Sequence, residues 1–319
     1  MYRTAKSLFS SASVQLPVVA SFRRVHTEVK VPVPWGHVAG KWWNKDEGKP
    51  IIALHGWQDN ANSFDRLVPS ISPKASVLAI DLPGHGHSSH FPHGFPYHRM
   101  SAVMTLRRIV EHFGWKSVTL MGHSLGGQTC FMYAAIYPGE VDSLITIDIL
   151  APIPLNPQKY IKHGGKTIDE FIRRDLQTEA TAPSHPYEDL VKMVLKSPIS
   201  PDTVEGAKIL MDRGSVKTEE GKYRLTRDTR LKGNSTSGWS ADDILKYCLE
   251  LKTNILCIKA EGSPYFSTKE FFDQSWENVT KAAKNAELVY LPGKHHLHLE
   301  NVEAVAPVVN KFLSKYYTR

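Results

Sequence analysis

Gly122-His123-Ser124-Leu125-Gly126-Gly127 places a serine between glycines. An apolar run, Val118–Met121, ends there, and a helical run through Phe131 to Ile136, stopped by Pro138, begins. A strand–GxSxG–helix passage is a sharp turn that strains its central residue and pushes that side chain out of the sheet. Gly122 and Gly126 are expected because a Cβ at either position would meet the neighbouring strand or helix. Ser124 then lies at a helix amino terminus, where peptide dipoles favour developing negative charge. The chemistry this prepares is nucleophilic attack. It needs a base for the hydroxyl proton, a carboxylate to orient the base and two amides to receive an oxyanion.

Each of those parts has candidates. The base is sought after the last strand, where Leu291-Pro292-Gly293-Lys294-His295-His296-Leu297-His298 offers three histidines. His295 fits best, two residues after the glycine, with His296 and His298 as packing residues. For the acid, a carboxylate is commonly expected after the run Ile255–Ile258. The chain there reads Lys259-Ala260-Glu261-Gly262-Ser263-Pro264, with Ser263 at the expected position. Asp148, which ends the run Leu144–Ile147, is the preferred acid, and Glu261 is the alternative. Either keeps the order serine, acid, histidine. The oxyanion donors are expected to be the amide of Leu125, after the serine, and that of Trp57 in His55-Gly56-Trp57, which follows the run Ile51–Leu54. His55 is expected to brace this loop rather than react.

The elements that must position these groups read as a sandwich. Val29, Val31 and Val33 alternate as one strand and His37–Trp43 forms the next. Pro50–Leu54, Ser76–Ile80, Ser117–Met121, Ser143–Ile147, Asn254–Ile258 and Ala286–Leu291 are short apolar runs suited to strands buried on both faces of a mainly parallel sheet. Met100, Val103, Leu106, Ile109, Val110 and Phe113 recur at helical spacing, as do Val302, Val305, Val309, Phe312 and Leu313. Strands alternating with helices predict an α/β fold with helices on both faces of the sheet. Residues 152–250 break this rhythm and are read as a helical cap over the carboxyl edge of the sheet, where open α/β folds place ligands. The expected division is thus a first core part over 28–151, the cap over 152–250 and a second core part over 251–319.

Composition narrows the classes further. No stretch approaches the roughly 18 apolar residues of a membrane span. Three cysteines, Cys130, Cys248 and Cys257, are too few and scattered for a disulfide framework. The formal charge of +7 shrinks to +3 once residues 1–27 are set aside, since these hold four basic residues and no acid. No basic stripe interleaved with aromatics suggests nucleic-acid binding. Residues 1–27 have the composition of a mitochondrial transit peptide, with a secretory signal as the rival and a frayed terminus as the plain alternative. His85, His87, His90, His93 and His98 lack metal-site spacing with carboxylate partners and are read as an exposed loop. No metal or cofactor is expected. The basic run Arg224, Arg227, Arg230 and Lys232 is expected to pair with Asp228 and nearby carboxylates.

Together these residues resemble the α/β-hydrolase superfamily, and within it the serine hydrolase-like group of animal proteins. The resemblance is carried by Val33-Pro34-Trp35-Gly36-His37, His55-Gly56-Trp57-Gln58-Asp59-Asn60-Ala61, Gly84-His85-Gly86-His87-Ser88-Ser89-His90, the serine turn and Leu225-Thr226-Arg227-Asp228-Thr229-Arg230-Leu231. It covers the chain from residue 28 onward. It implies an acid after the sixth strand, which favours Asp148, and a peroxisomal location as a rival to the mitochondrial one; a cytoplasmic location is a further alternative. The expected function is a serine hydrolase cleaving a small or medium ester-type substrate through an acyl-enzyme. The alternatives are a non-catalytic small-molecule-binding or scaffold protein on the same fold, or a C–C bond hydrolase or perhydrolase.

Overall fold

The computed structural model describes residues 26–45, 48–71, 75–177, 182–197, 199–233 and 238–317. Nearly all of the segment expected to carry a targeting signal, 1–27, lies outside them. Eight strands form one sheet: β1 (His26–Val33), β2 (Gly36–Trp43), β3 (Pro50–Leu54), β4 (Ser76–Ile80), β5 (Val118–His123), β6 (Val141–Ile147), β9 (Asn254–Ala260) and β10 (Asn285–Leu291). Their spatial order is β1-β2-β4-β3-β5-β6-β9-β10. Strands β4, β3, β5, β6, β9 and β10 run parallel, and β2 pairs antiparallel with both β1 and β4. Strands β7 (Ser215–Lys217) and β8 (Tyr223–Leu225) make a separate small hairpin.

The continuous apolar runs are explained by cover on both faces. In β3, Ile52 and Leu54 belong to one core cluster, while Ile51 and Ala53 belong to the other; Leu78 and Ile80 alternate with Val77 and Ala79 in β4 in the same way. The first cluster is completed by helices α1 (Arg99–Phe113) and α2 (Leu125–Ile136). The second is closed by Val302, Val305, Val309 and Phe312 near the chain's end. No helix among the described residues is long and apolar enough to cross a membrane.

Between β6 and β9 lie α3 (Pro157–Asp175), α4 (Tyr187–Leu195), α5 (Val204–Gly214) and α6 (Ala241–Cys248). Helices α4 and α5 share a small core of their own, built on Leu190, Val191, Ala207 and Met211. Polar ties moor this unit to the sheet edge. Asn60 Nδ2 donates to Leu210 O (2.8 Å), Asn62 Nδ2 to Ile209 O (2.9 Å), and the Arg213 guanidinium reaches buried Asp81 at 2.8 Å. Helix α6 behaves differently: Ile244 and Cys248 are fully buried in the main core beside α2. The last helix of the strand-poor stretch therefore packs with the sandwich. After β9 come α7 (Lys269–Ala282), β10, the short α8 (Leu297–Glu300) and α9 (Val302–Tyr316). The three cysteines are free and buried.

Candidate active site

Strand β5 runs to His123, two residues beyond its expected end, so Ser124 is the first residue off the strand and also the N-cap of α2. Its backbone is left-handed, with φ 51° and ψ −114°, and its side chain makes no capping hydrogen bond. The strain is held by close packing. A Cβ on Gly126 would collide with the backbone of Leu54, and one on Gly122 with the backbone of Gly126. Gly126→Ala is accordingly expected to cost about 3 kcal/mol or more. Gly139, with nothing near its missing Cβ, should tolerate alanine within about 0.5 kcal/mol. Urea denaturation of the two variants checks this, and equal costs would contradict the packing argument.

Asp148 leaves β6 with φ 54°, a second strained residue at the same sheet edge. Its carboxylate is buried and collects four donors: His295 Nδ1 (2.6 Å) and Ser263 Oγ on Oδ2, with Lys259 Nζ (2.6 Å) and Ala260 N (3.0 Å) on Oδ1. Burial alone would raise its pKa. The bonds from His295, Lys259 and Ser263 outweigh that and hold it below the usual carboxylate value. Glu261, the alternative acid, is exposed in the turn after β9. Ser263 occupies the position where an acid was sought and donates to Asp148. Lys259 escaped the sequence reading, although a lysine continuing the apolar run Ile255–Ile258 was a visible signal. It is buried, and its ammonium also donates to Ala260 O (3.1 Å) and Ser263 O (2.9 Å).

His295 presents its ring edge-on to Phe266 and keeps its backbone carbonyl bonded to His123 Nε2 (2.9 Å). Nδ1–H directed at Asp148 leaves Nε2 as the basic nitrogen. Ser124, His295, Trp57 and Leu125 all line one cavity of about 510 Å³, and Phe171 and Leu231 of the 152–250 stretch line it too. Leu125 is the first residue of α2, so its amide has no intrahelical acceptor.

Neutral histidines brace the Trp57 loop. His55 Nδ1 donates to Gly56 O (2.7 Å) and its Nε2 accepts from Leu82 N (3.0 Å). His85 Nδ1 donates to Pro83 O (3.0 Å) and Nε2 accepts from Gln58 N (3.1 Å), where Gln58 has φ 68°. The loop expected to be exposed is thus largely buried at His85, because Asp81 gathers the amides of Ala61 and His87 together with Arg213 beneath it. His85, His90 and His93 serve as hydrogen-bonded struts. Behind His295, Asp59 accepts from His296 Nε2 (3.0 Å) and lies 3.5 Å from His123 Nδ1. Among the described residues, Asp59, His123 and His296 are the group whose ligand atoms fall within 4.8 Å of one another, and so the place a metal ion would fit. The Asp59–His296 bond already joins two of them.

These buried rings predict an acid-sensitive fold. Burial lowers His85 and His123 to about 3, helped by the neighbouring His55 and His295 respectively. Below the ordinary value of 6.5 the unfolded chain takes up protons that the folded chain refuses. Stability therefore falls as pH falls, by about 1.4 kcal/mol per pH unit for each such histidine. His296 contributes in the opposite sense. Burial would lower it, but Asp59 raises it, so its share is complete below 6.5 and fades as pH rises through its folded value. Between pH 6 and 5, urea unfolding should show a steep loss that His85→Gln makes shallower by about one histidine's share. A flat profile in wild type would contradict these assignments.

The pattern of the α/β-hydrolase fold matches residues 49–302. The chain belongs to the α/β-hydrolase family. This hydrolase-fold chain is 39% identical to a probable serine hydrolase of Drosophila melanogaster, over 90% of its own length and 88% of the relative's. It is 34% identical to serine hydrolase-like protein 2 of Homo sapiens, over 90% and 94% of the two chains. A solved structure of a hypothetical protein from Pseudomonas aeruginosa PAO1 superposes with a TM-score of 0.78 at 26% identity, covering 92% of this α/β-hydrolase and 99% of that chain.

Proposed function

We propose that this α/β-hydrolase is a serine hydrolase that cleaves a carboxylic ester-type bond through an acyl-enzyme, with Ser124, His295 and Asp148 as its triad. The observation that carries the reading is the 2.6 Å bond between His295 Nδ1 and the buried Asp148 carboxylate, in a histidine that shares its cavity with strained Ser124. Ser124 Oγ attacks the carbonyl carbon while its proton passes to His295 Nε2. The oxyanion is received by the amides of Leu125 and Trp57. Collapse breaks the bond to the leaving group, which takes the proton from His295, and the acyl group stays on Ser124. Water, deprotonated by His295, then releases the acid. Asp148 remains ionised throughout, orienting the ring and stabilising the imidazolium. No step requires a cofactor.

A shared acyl-enzyme makes a kinetic prediction. Butyrate esters with different leaving groups should give the same ratio of butyric acid to methyl butyrate when methanol competes with water, because both nucleophiles meet one intermediate. A ratio that changes with the leaving group would overturn the two-step reading. Tight binding of such esters without turnover would favour a non-catalytic ligand-binding role.

A further inference from the structure

Among the described residues, the cavity that holds Ser124 and His295 is lined by two arginines and no carboxylate. The two arginines are not alike. Arg230 is fully engaged, paired with Asp228 (2.7 Å) and Asp175 (2.9 Å) and donating to the carbonyls of Phe91 and Pro92. Among the described residues, Arg99 makes one hydrogen bond, from Nη1 to Ile153 O (2.6 Å), and no acid lies within ion-pair distance of it. It is the first residue of α1, whose first turn carries no acid. The helix dipole therefore adds to the positive potential there instead of balancing it. Burial lowers the Arg99 pKa, and no charged neighbour offsets the effect.

A guanidinium partly withdrawn from water without a counter-charge carries a desolvation cost that an entering anion can relieve. Its placement relative to the nucleophile is also fixed. The amide of Ile153, whose carbonyl holds Arg99, donates to Gln128 Oε1 (3.2 Å), one helical turn after Ser124. With Nη1 bonded to Ile153 O, the remaining donors of the planar group suit a single carboxylate. A phosphate dianion would call for a second unpaired cation, and Arg230 is already neutralised. Ile168, Phe171, Ile199 and Leu231 give the cavity wall an apolar stretch.

We propose that the substrate of this enzyme is an ester or thioester with a carboxylate remote from the scissile bond, and that Arg99 is the residue that binds that carboxylate. This rests on the serine hydrolase reading and names the substrate class of the same site. The test compares 4-nitrophenyl hydrogen adipate with its neutral counterpart, 4-nitrophenyl methyl adipate. A second pair, the butyrate esters of 4-hydroxybenzoate and of methyl 4-hydroxybenzoate, places the charge on the leaving group. Wild type is expected to favour the carboxylate in one of the pairs by about 30-fold in kcat/KM. The preference should shrink towards unity in Arg99→Gln and persist in part in Arg99→Lys. Equal rates within both pairs would overturn the proposal even if neither variant folds, as would a preference that survives Arg99→Gln. A wild-type protein that hydrolyses neither member of either pair and resists fluorophosphonate labelling refutes the underlying serine hydrolase reading. Labelling and turnover without carboxylate preference refute this inference alone.

Discussion

Ser124→Ala is expected to lower kcat towards 4-nitrophenyl esters by about 10⁴-fold or more. The loss should be chemical and not conformational. The turn that strains residue 124 is enforced by Gly122, Gly126 and the Leu54 backbone, none of which the substitution touches. Alanine removes one oxygen from the mouth of a preformed cavity, so KM should move far less than kcat. Steady-state kinetics on the purified variant, with its melting curve beside that of wild type, checks both halves. A kcat within tenfold of wild type would mean that the nucleophile lies elsewhere.

Asp148→Asn is the second large effect, with kcat expected to fall by about 10⁴-fold at neutral pH. An amide donating to Nδ1 would force the proton onto Nε2 and leave His295 unable to accept from Ser124. The same substitution strips Lys259 of its buried partner, so stability should fall by about 3 kcal/mol, and rates must be read well below the lowered melting temperature. Glu261→Gln, at an exposed turn, should leave turnover within about threefold. The hydroxyl of Ser263 already touches Asp148 Oδ2, so a carboxylate at 263 would stand close to the same imidazole. Adding Ser263→Asp to Asp148→Asn is therefore expected to recover part of the lost rate. If Glu261→Gln collapses turnover while Asp148→Asn does not, the acid has been misassigned.

The sheet was legible because a strand covered on both faces is apolar along most of its length, and Pro50–Leu54 and Ser76–Ile80 announce that directly. The serine turn was legible because close backbone packing leaves only glycine at 122 and 126. Asp148 could be preferred from its place at the end of β6, but its four donors come from β9 and two later loops that no local pattern joins to it. His85 was misread because glycine and proline around it signal a turn, whereas its burial is set by Asp81, Arg213 and the 152–250 stretch arriving from 132 residues away. Hairpin β7–β8 is only three residues per strand and partly exposed, too short for a period of two to register. Helix α6 looked like part of the cap because its stretch lacks strands; what decides its place is the contact of Ile244 and Cys248 with the main core.

The most direct measurement locates the nucleophile itself. Treated with a fluorophosphonate and digested, the wild-type protein should yield one phosphonylated peptide, modified at Ser124. Asp148→Asn should label far more slowly and Ser124→Ala not at all. Undiminished labelling of Ser124→Ala, or an adduct on any other residue in wild type, would contradict the assignment of Ser124 as the attacking group.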